Sequence, residues 1–328
     1  MRIKDLQLLP KFRDGWSYLY VEHCRIDREN RAVALHDASG TVSVPCAGLA
    51  LLMLGPGVSI THAAIMTLAD NGCLVVWCGE EGIRFYAAGL GKTRNASNLL
   101  RQVALVSDPA MREKVVRRMY SVRFRKKLPS GLTLRQIRGM EGVRVRDAYA
   151  KAAREYGIEW KGRSYRRDSW KDTDPVNRAL STANSCLYGL CHAGIVACGL
   201  SPALGFVHTG NMLSFVFDIA DLYKVDVSVP VAFREAAKGG EELDRRVRRA
   251  LRDSIVSFRL LPRVVDDLYY LLGLGRKNAD DPFEADDELP PPLWDPERGV
   301  VAGGVNYADA EVSDDGADLG ASQAGLAR

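Results

Sequence analysis

Short apolar runs alternate with turn residues over positions 1–88. Ser17-Tyr18-Leu19-Tyr20-Val21, Ala32-Val33-Ala34-Leu35 and Thr41-Val42-Ser43-Val44-Pro45 are the first three. Cys73-Leu74-Val75-Val76-Trp77-Cys78 and Ile83-Arg84-Phe85-Tyr86-Ala87 follow. All are rich in β-branched and aromatic residues and are separated by Gly, Asp and Asn, a pattern that predicts strands. A turn-like stretch is expected between the first two. One helix is predicted among the strands, from Thr61 to Asn71, ending at Gly72 as a C-terminal glycine should. The expectation for residues 1–88 is a β-sandwich-like domain.

The period changes at the short linker 89–94. Over 95–278 apolar positions recur at three- and four-residue spacing, as at Leu99, Val103 and Val106 and again at Val115, Met119 and Val122. That spacing predicts helices. Thr133-Leu134-Arg135-Gln136 fits a capping box and opens another. Pro175 to Leu200 predicts a central helix, apolar on most sides. Glu241 to Leu261 predicts one last long helix carrying Arg245, Arg248, Arg249 and Arg252. Residues 279–328 are acidic and rich in Pro and Gly, with too little apolar surface to order themselves, so a flexible tail is expected. Leu293-Trp294 and Val300-Val301 are its candidate partner-binding points. The fold class expected is α+β, an N-terminal β-sandwich-like domain followed by an all-α catalytic domain.

Composition alters this picture in one respect. The net charge of +4 conceals a basic body and an acidic tail: residues 276–328 carry −9 and the rest of the chain +13. Residues 91–180 alone hold 23 basic against 9 acidic side chains. Such a concentration points to a polyanionic partner, nucleic acid above all. The start of the chain lacks a basic segment followed by an apolar run, so a cytoplasmic location is expected. Ser185 to Leu200 is interrupted by Tyr188, Gly189, His192 and Gly194 and falls short of the roughly 20 apolar residues of a membrane span. Of the seven cysteines, Cys186, Cys191 and Cys198 are expected as small buried hydrophobes; Cys73 and Cys78 flank an apolar strand without completing a zinc set, and no disulfide framework is expected. His192, on the apolar helix, reads as a core histidine.

Two clusters carry candidate chemistry. Glu141 sits between Gly139 and Gly142 in a basic helical stretch, where glycine costs about 1 kcal/mol relative to alanine. This suggests a place where the backbone meets something closely; a surface ion pair with Arg138, Arg144 or Arg146 is the alternative. The second cluster is Gly205-Phe206-Val207-His208-Thr209-Gly210, followed by Asp218 and Asp221 among Phe, Val, Ile and Leu. Three-residue spacing predicts both aspartates on one helix face. Buried carboxylates need a metal or a cation, and Arg248 or Arg252 could supply the latter. Two carboxylates and an imidazole suit Mg2+ or Mn2+. Gly89-Leu90-Gly91-Lys92-Thr93 ends like a P-loop but has Tyr86 where the first glycine belongs.

At these clusters the chain resembles the integrase of CRISPR adaptation, the larger protein of the spacer-acquisition pair, in its type I-E form. The resemblance spans residues 12–275. It rests on Leu54-Gly55-Pro56-Gly57, Ser59 to Ala64, Arg138 to Arg146, Ser185-Cys186-Leu187-Tyr188-Gly189, Gly205 to Gly210 and Leu213 to Lys224. It implies a dimerising β domain, hence a homodimer, and a helical catalytic domain. It implies Glu141, His208 and Asp221 as ligands of Mg2+ or Mn2+, with Asp218 beside them and needed for activity. It also implies a hetero-hexamer with a small ferredoxin-like partner, holding double-stranded protospacer DNA whose 3′-hydroxyls attack the repeat. A host DNA-bending protein is a further possible partner. Arg84 and Arg248 match DNA-contacting positions of the family, and Arg138, Arg146, Arg163 and Arg245 join them on charge. His23 falls where relatives stack a tyrosine on the duplex end. Asn211 and Phe217 depart from the lysine and tyrosine of a relative at positions linked to reading the protospacer-adjacent motif. A structure-specific nuclease or junction resolvase, acting by water attack, is the competing expectation.

Overall fold

The computed structural model describes residues 17–30, 32–46, 49–79, 85–89, 96–163, 174–274, 293–296 and 299–301. Two four-stranded sheets form the N-terminal part. One holds β1 (Ser17–Val21), β5 (Leu49–Leu54), β7 (Leu74–Cys78) and β8 (Phe85–Gly89), in that order. The first three strands run parallel, and β8 pairs antiparallel with β7. The other sheet has the order β4 (Gly40–Pro45), β3 (Ala32–Asp37), β2 (Arg25–Glu29), β6 (Ser59–Ile60).

Successive side chains on β5 and β7 serve different cores. Leu52, Leu54 and Val75 pack with Ile26, Val33 and Leu68 between the two sheets. Leu51, Met53, Leu74 and Val76 join the helical core on the other side. A parallel layer buried on both faces reads as a continuous apolar run, as Leu-Ala-Leu-Leu-Met-Leu does here. β5 was not among the strands expected from the pattern. Nor was β2, which occupies the turn-like stretch after β1. Its sequence Arg-Ile-Asp-Arg-Glu buries Ile26 alone, but its backbone is held by β3 on one side and β6 on the other.

α1 (His62–Asp70) begins where the Thr61 side chain accepts from the Ala64 amide, a cap worth about 1 kcal/mol. Gly72 follows it with φ +62°. The helical part comprises α2 (Ser97–Ser107), α3 (Pro109–Phe124), α4 (Leu134–Glu155), α5 (Pro175–Ala197), α6 (Ser214–Ala220), α7 (Ser228–Ala236), α8 (Leu243–Ser257) and α9 (Leu260–Leu272). Both halves of the capping box form at α4: the Gln136 amide donates to Thr133 Oγ1 and the Thr133 amide to Gln136 Oε1. α5 is the hub against which α6, α7, α8 and α9 pack. A Cβ on Gly194 would come within 2.8 Å of Val264, so glycine allows α9 to approach this closely.

The expected single helix from Glu241 to Leu261 is two. α8 stops at Ser257, Arg259 adopts a left-handed conformation, and α9 starts at Leu260. Pro262 lies in the first turn of α9, where its missing N–H costs nothing; inside one continuous helix it would break the ladder. Residues 279–328 form a separate unit. Its described part is an antiparallel pair, β9 (Leu293–Asp295) and β10 (Gly299–Val301), so the two points singled out in the tail face each other in a hairpin. All seven cysteines are buried. No described helix is long and apolar enough to cross a membrane.

His192 on α5 stacks on Phe85, with ring centroids 3.6 Å apart. Burial pushes its imidazole down to about 4 from an ordinary 6.5. Between those values the unfolded chain binds a proton that the folded chain refuses, so stability falls as pH falls through the window. His192→Phe should therefore show a shallower loss of melting temperature from pH 6.5 to pH 4 than the parent chain. Parallel curves would refute this.

Candidate functional site

Four elements converge on the acidic residues. α4 carries Glu141, the segment 205–213 carries His208, α6 carries Asp218 with Asp221 at its C-cap, and the last turn of α3 supplies Arg123. Asp218 is wholly buried. One of its oxygens accepts from the Phe206 and Val207 amides at 2.6 and 3.0 Å. The other accepts from the His208 amide at 2.9 Å and lies 2.7 Å from His208 Nδ1. The hydrogen bond that Asp218 accepts from the imidazole raises the His208 pKa, against the lowering effect of burial. Gly205 makes the turn possible: a Cβ there would sit 2.4 Å from the His208 carbonyl oxygen. Arg112 ties the loop from outside by donating to the Phe206 and Gly205 carbonyls.

The aspartates therefore do not share one task, as their spacing suggested. α6 is only seven residues long, and Asp218 turns inward to hold the loop while Asp221 stays partly exposed at the helix end. Asp221 receives Lys224 Nζ at 2.6 Å. Glu141 takes a two-pronged hydrogen bond from Arg144, at 2.8 and 3.0 Å. This is one of the ion pairs weighed from sequence. Burial lowers the Lys224 pKa, but Asp221 and Tyr188 more than offset it and the net shift is upward. Glu141 likewise raises Arg144.

Between the two carboxylates stands Arg123, with Nη1 3.8 Å from Glu141 and Nη2 3.4 Å from Asp221. The sequence reading missed it. A signal was present: Val115, Val116, Met119, Tyr120 and Arg123 form one buried stripe on α3, and a charge continuing an apolar stripe needs a buried counter-charge. Lys224 was missed as well; it lies 4.8 Å from the centre of the Tyr188 ring. Tyr188 packs on Phe217, which also meets His208, so the imidazole and the acidic pair belong to one connected surface.

In kind, these donors suit a hard divalent cation: two carboxylates, and an imidazole whose Nδ1 is engaged by a further carboxylate, which leaves Nε2 available. In spacing, no three His, Cys, Asp or Glu side chains among the described residues stand close enough to hold an ion together. The protein's own cations lie against the carboxylates instead.

The glycines beside Glu141 are not there to admit a neighbour of this chain. Both are exposed, and a Cβ on either would meet nothing within 4 Å. They leave a bare helix face next to the acid. Arg138 and Arg146 are exposed on the same helix. Arg163 is spent on α5, where it donates to Asn177 and Ser181. Arg245 pairs loosely with Glu242, and Arg248 is half-buried on α8. Arg84 lies outside the described residues. His23 is exposed with φ +50°, after β1. A further basic surface lies within the basic block 91–180, at residues not individually named from the sequence. Lys114, Arg117, Arg118, Arg125, Lys126 and Lys127 line an open groove of about 900 Å³ whose only acidic lining residue among the described residues is Asp267.

A family profile described as CRISPR associated protein Cas1 matches residues 120–239, which include Glu141, His208, Asp218 and Asp221. The CRISPR-associated endonuclease Cas1 2 of Thermus thermophilus is 56% identical over 93% of this chain and 94% of its own length. The CRISPR-associated endonuclease Cas1 of Escherichia coli K12 is 40% identical over 86% and 92%. Among solved structures, a TtCas1–DNA complex aligns with a TM-score of 0.74 at 57% identity, covering 80% of this chain and 99% of that one. A casposase bound to integration product shares the fold at a TM-score of 0.52 and 13% identity, covering 80% and 92%. With such identity across nearly the whole length of its relatives, the chain belongs to the Cas1 family of CRISPR-associated endonucleases.

Proposed function

We propose that this chain is the DNA integrase of CRISPR adaptation, of the type I-E form, joining protospacer ends to the repeat array. The observation that carries this reading is the meeting of Glu141 and Asp221, from separate helices, around one buried guanidinium beside the loop that presents His208. The DNA in the TtCas1 complex supports the substrate class, as does the basic groove.

Glu141, His208 and Asp221 are the donors that would hold Mg2+ or Mn2+, once Arg144 and Lys224 leave the carboxylates and the three side chains draw closer than they stand here. When bound, such an ion neutralises charge at the scissile phosphate and activates the attacking oxygen. The rest falls to the protein. Asp218 orients the imidazole through Nδ1. Arg138 and Arg146, exposed on the helix of Glu141, hold phosphates and set the register of the DNA without reading its sequence. The bare face at Gly139 and Gly142 gives the duplex room beside the acid. In the reaction a 3′-oxygen forms a bond to phosphorus and the target's P–O3′ bond breaks. The attacking hydroxyl gives up its proton, and the departing 3′-oxygen gains one. No covalent bond to the protein is needed.

The functional unit proposed is a cytoplasmic homodimer that joins a small ferredoxin-like partner in a hetero-hexamer, with a host DNA-bending protein as a further partner. The relatives are named endonucleases, which favours a second reading in which water is the nucleophile.

Three outcomes are expected. Glu141→Gln, His208→Ala and Asp221→Asn should each lower strand transfer by at least about 100-fold while changing duplex affinity little, measured by gel-based integration and by fluorescence anisotropy. Equal loss of both would remove these residues from the catalytic site. Protospacers with blocked 3′ ends should stop joining and leave no cleavage of the repeat; cleavage that persists would establish the hydrolytic reading. Arg248→Ala should reduce the slope of log affinity against log salt by about 0.9, so that its deficit is largest at low salt. An unchanged slope would take Arg248 off the phosphate track.

A further inference from the structure

Arg123 is the most deeply buried cation at the site and takes no part in the bond changes of the proposed reaction. Its side chain is 4% exposed. Its Nη2 donates to the Asp218 carbonyl at 3.3 Å, and its guanidinium carbon lies 5.1 Å from the centre of the Tyr120 ring. Its Nε is buried without a hydrogen-bond partner among the described residues. A guanidinium in such a place is expensive to desolvate, and a missing bond at Nε adds to the cost. The compensating charges are the Glu141 and Asp221 carboxylates.

The contacts differ in kind from those around them. Arg144 and Lys224 reach Glu141 and Asp221 at 2.8 and 2.6 Å with side chains about a quarter exposed. They approach from the solvent side and can swing away. Arg123 stays 3.4–3.8 Å from the same carboxylates, outside good hydrogen-bond distance, and is packed in place by Tyr120 and the α6 backbone. Its effect on the acids is therefore one of charge more than of directed bonding. At such separations, in a partly desolvated site, a unit charge outweighs thermal energy several times over.

We propose that Arg123 is the resident counter-charge of the site: it holds Glu141 and Asp221 together in the metal-free protein and, because burial keeps it there, weakens the hold of those acids on a divalent cation. It is a positioning residue, and it sets how tightly the ion binds. The second half rests on the assignment of Glu141 and Asp221 as ligands; the first does not.

The full-length chain, freed of metal by EDTA and dialysis, is titrated with MnCl2 by calorimetry, and its melting temperature is followed without metal. Arg123→Met should bind Mn2+ about tenfold or more tightly than the parent, as expected when an opposing buried charge is removed. Arg123→Lys, which restores the charge, should stay within about threefold of the parent. Without metal, Arg123→Met should lower the melting temperature far more in the parent than in a Glu141→Gln background, where one carboxylate is already neutral. Failure of Arg123→Met to fold, together with folding of Arg123→Met/Glu141→Gln, counts as the same result. Equal destabilisation in both backgrounds overturns the counter-charge, and Mn2+ affinity unchanged or weaker in Arg123→Met overturns the tuning. Parent protein that binds Mn2+ no better than Glu141→Gln would instead reject Glu141 as a ligand and leave the melting cycle to judge Arg123.

Discussion

Asp218 is sealed from water, so every lone pair of its carboxylate must be answered by the protein. Three consecutive amides and one imidazole nitrogen answer them. An ionised group that accepts several backbone N–H bonds is among the strongest local anchors a fold offers, and here the anchor fixes a loop rather than a helix end. The loop cannot drift without orphaning a buried charge, and His208 cannot rotate without losing its Nδ1 partner. Everything the site does with Nε2 follows from that constraint. It also explains why seven residues suffice for α6: the helix is held by what it binds, not by its length.

Around this anchor the charges are arranged in two tiers. Arg144 and Lys224 make short, partly exposed pairs with Glu141 and Asp221, the kind that solvent screens and that open readily. Arg123 lies deeper and at longer range. Two carboxylates from separate helices would repel one another if left alone, and α3 places a cation between them. The cost of burying that cation is tied to the packing of Tyr120 and to the interior face of α3, which couples the acids to the helical core.

The core in turn depends on a sheet that works on both sides. β5 and β7 send alternate side chains into the inter-sheet core and into the helical core, so the N-terminal sheets and the helical part share one wall. His192, stacked on Phe85 of β8, lies at that junction. α5 then carries the support inward from this wall to α6, through the contact of Tyr188 with Phe217.

Sequence alone determined the elements whose signals are local. Thr61 and Gly72 bound α1, Thr133 and Gln136 open α4, and the apolar run after Pro175 forms the central helix, because caps and periodicity act through neighbours a few residues away. The residues of the candidate site were also legible, since an acid between glycines and two aspartates among hydrophobes are costly unless something offsets them. The strand β2 was hidden because one buried isoleucine gives no alternation; its pairing comes from β3 and β6. The break at Arg259 was hidden because arginine seldom marks a helix end. Above all, spacing could not divide Asp218 from Asp221, nor bring in Arg123 from α3. Which carboxylate is turned inward depends on amides of the loop just before α6, and which cation sits between the acids depends on Arg123 reaching α6 from a distant part of the chain; both contacts exist only once the elements have packed.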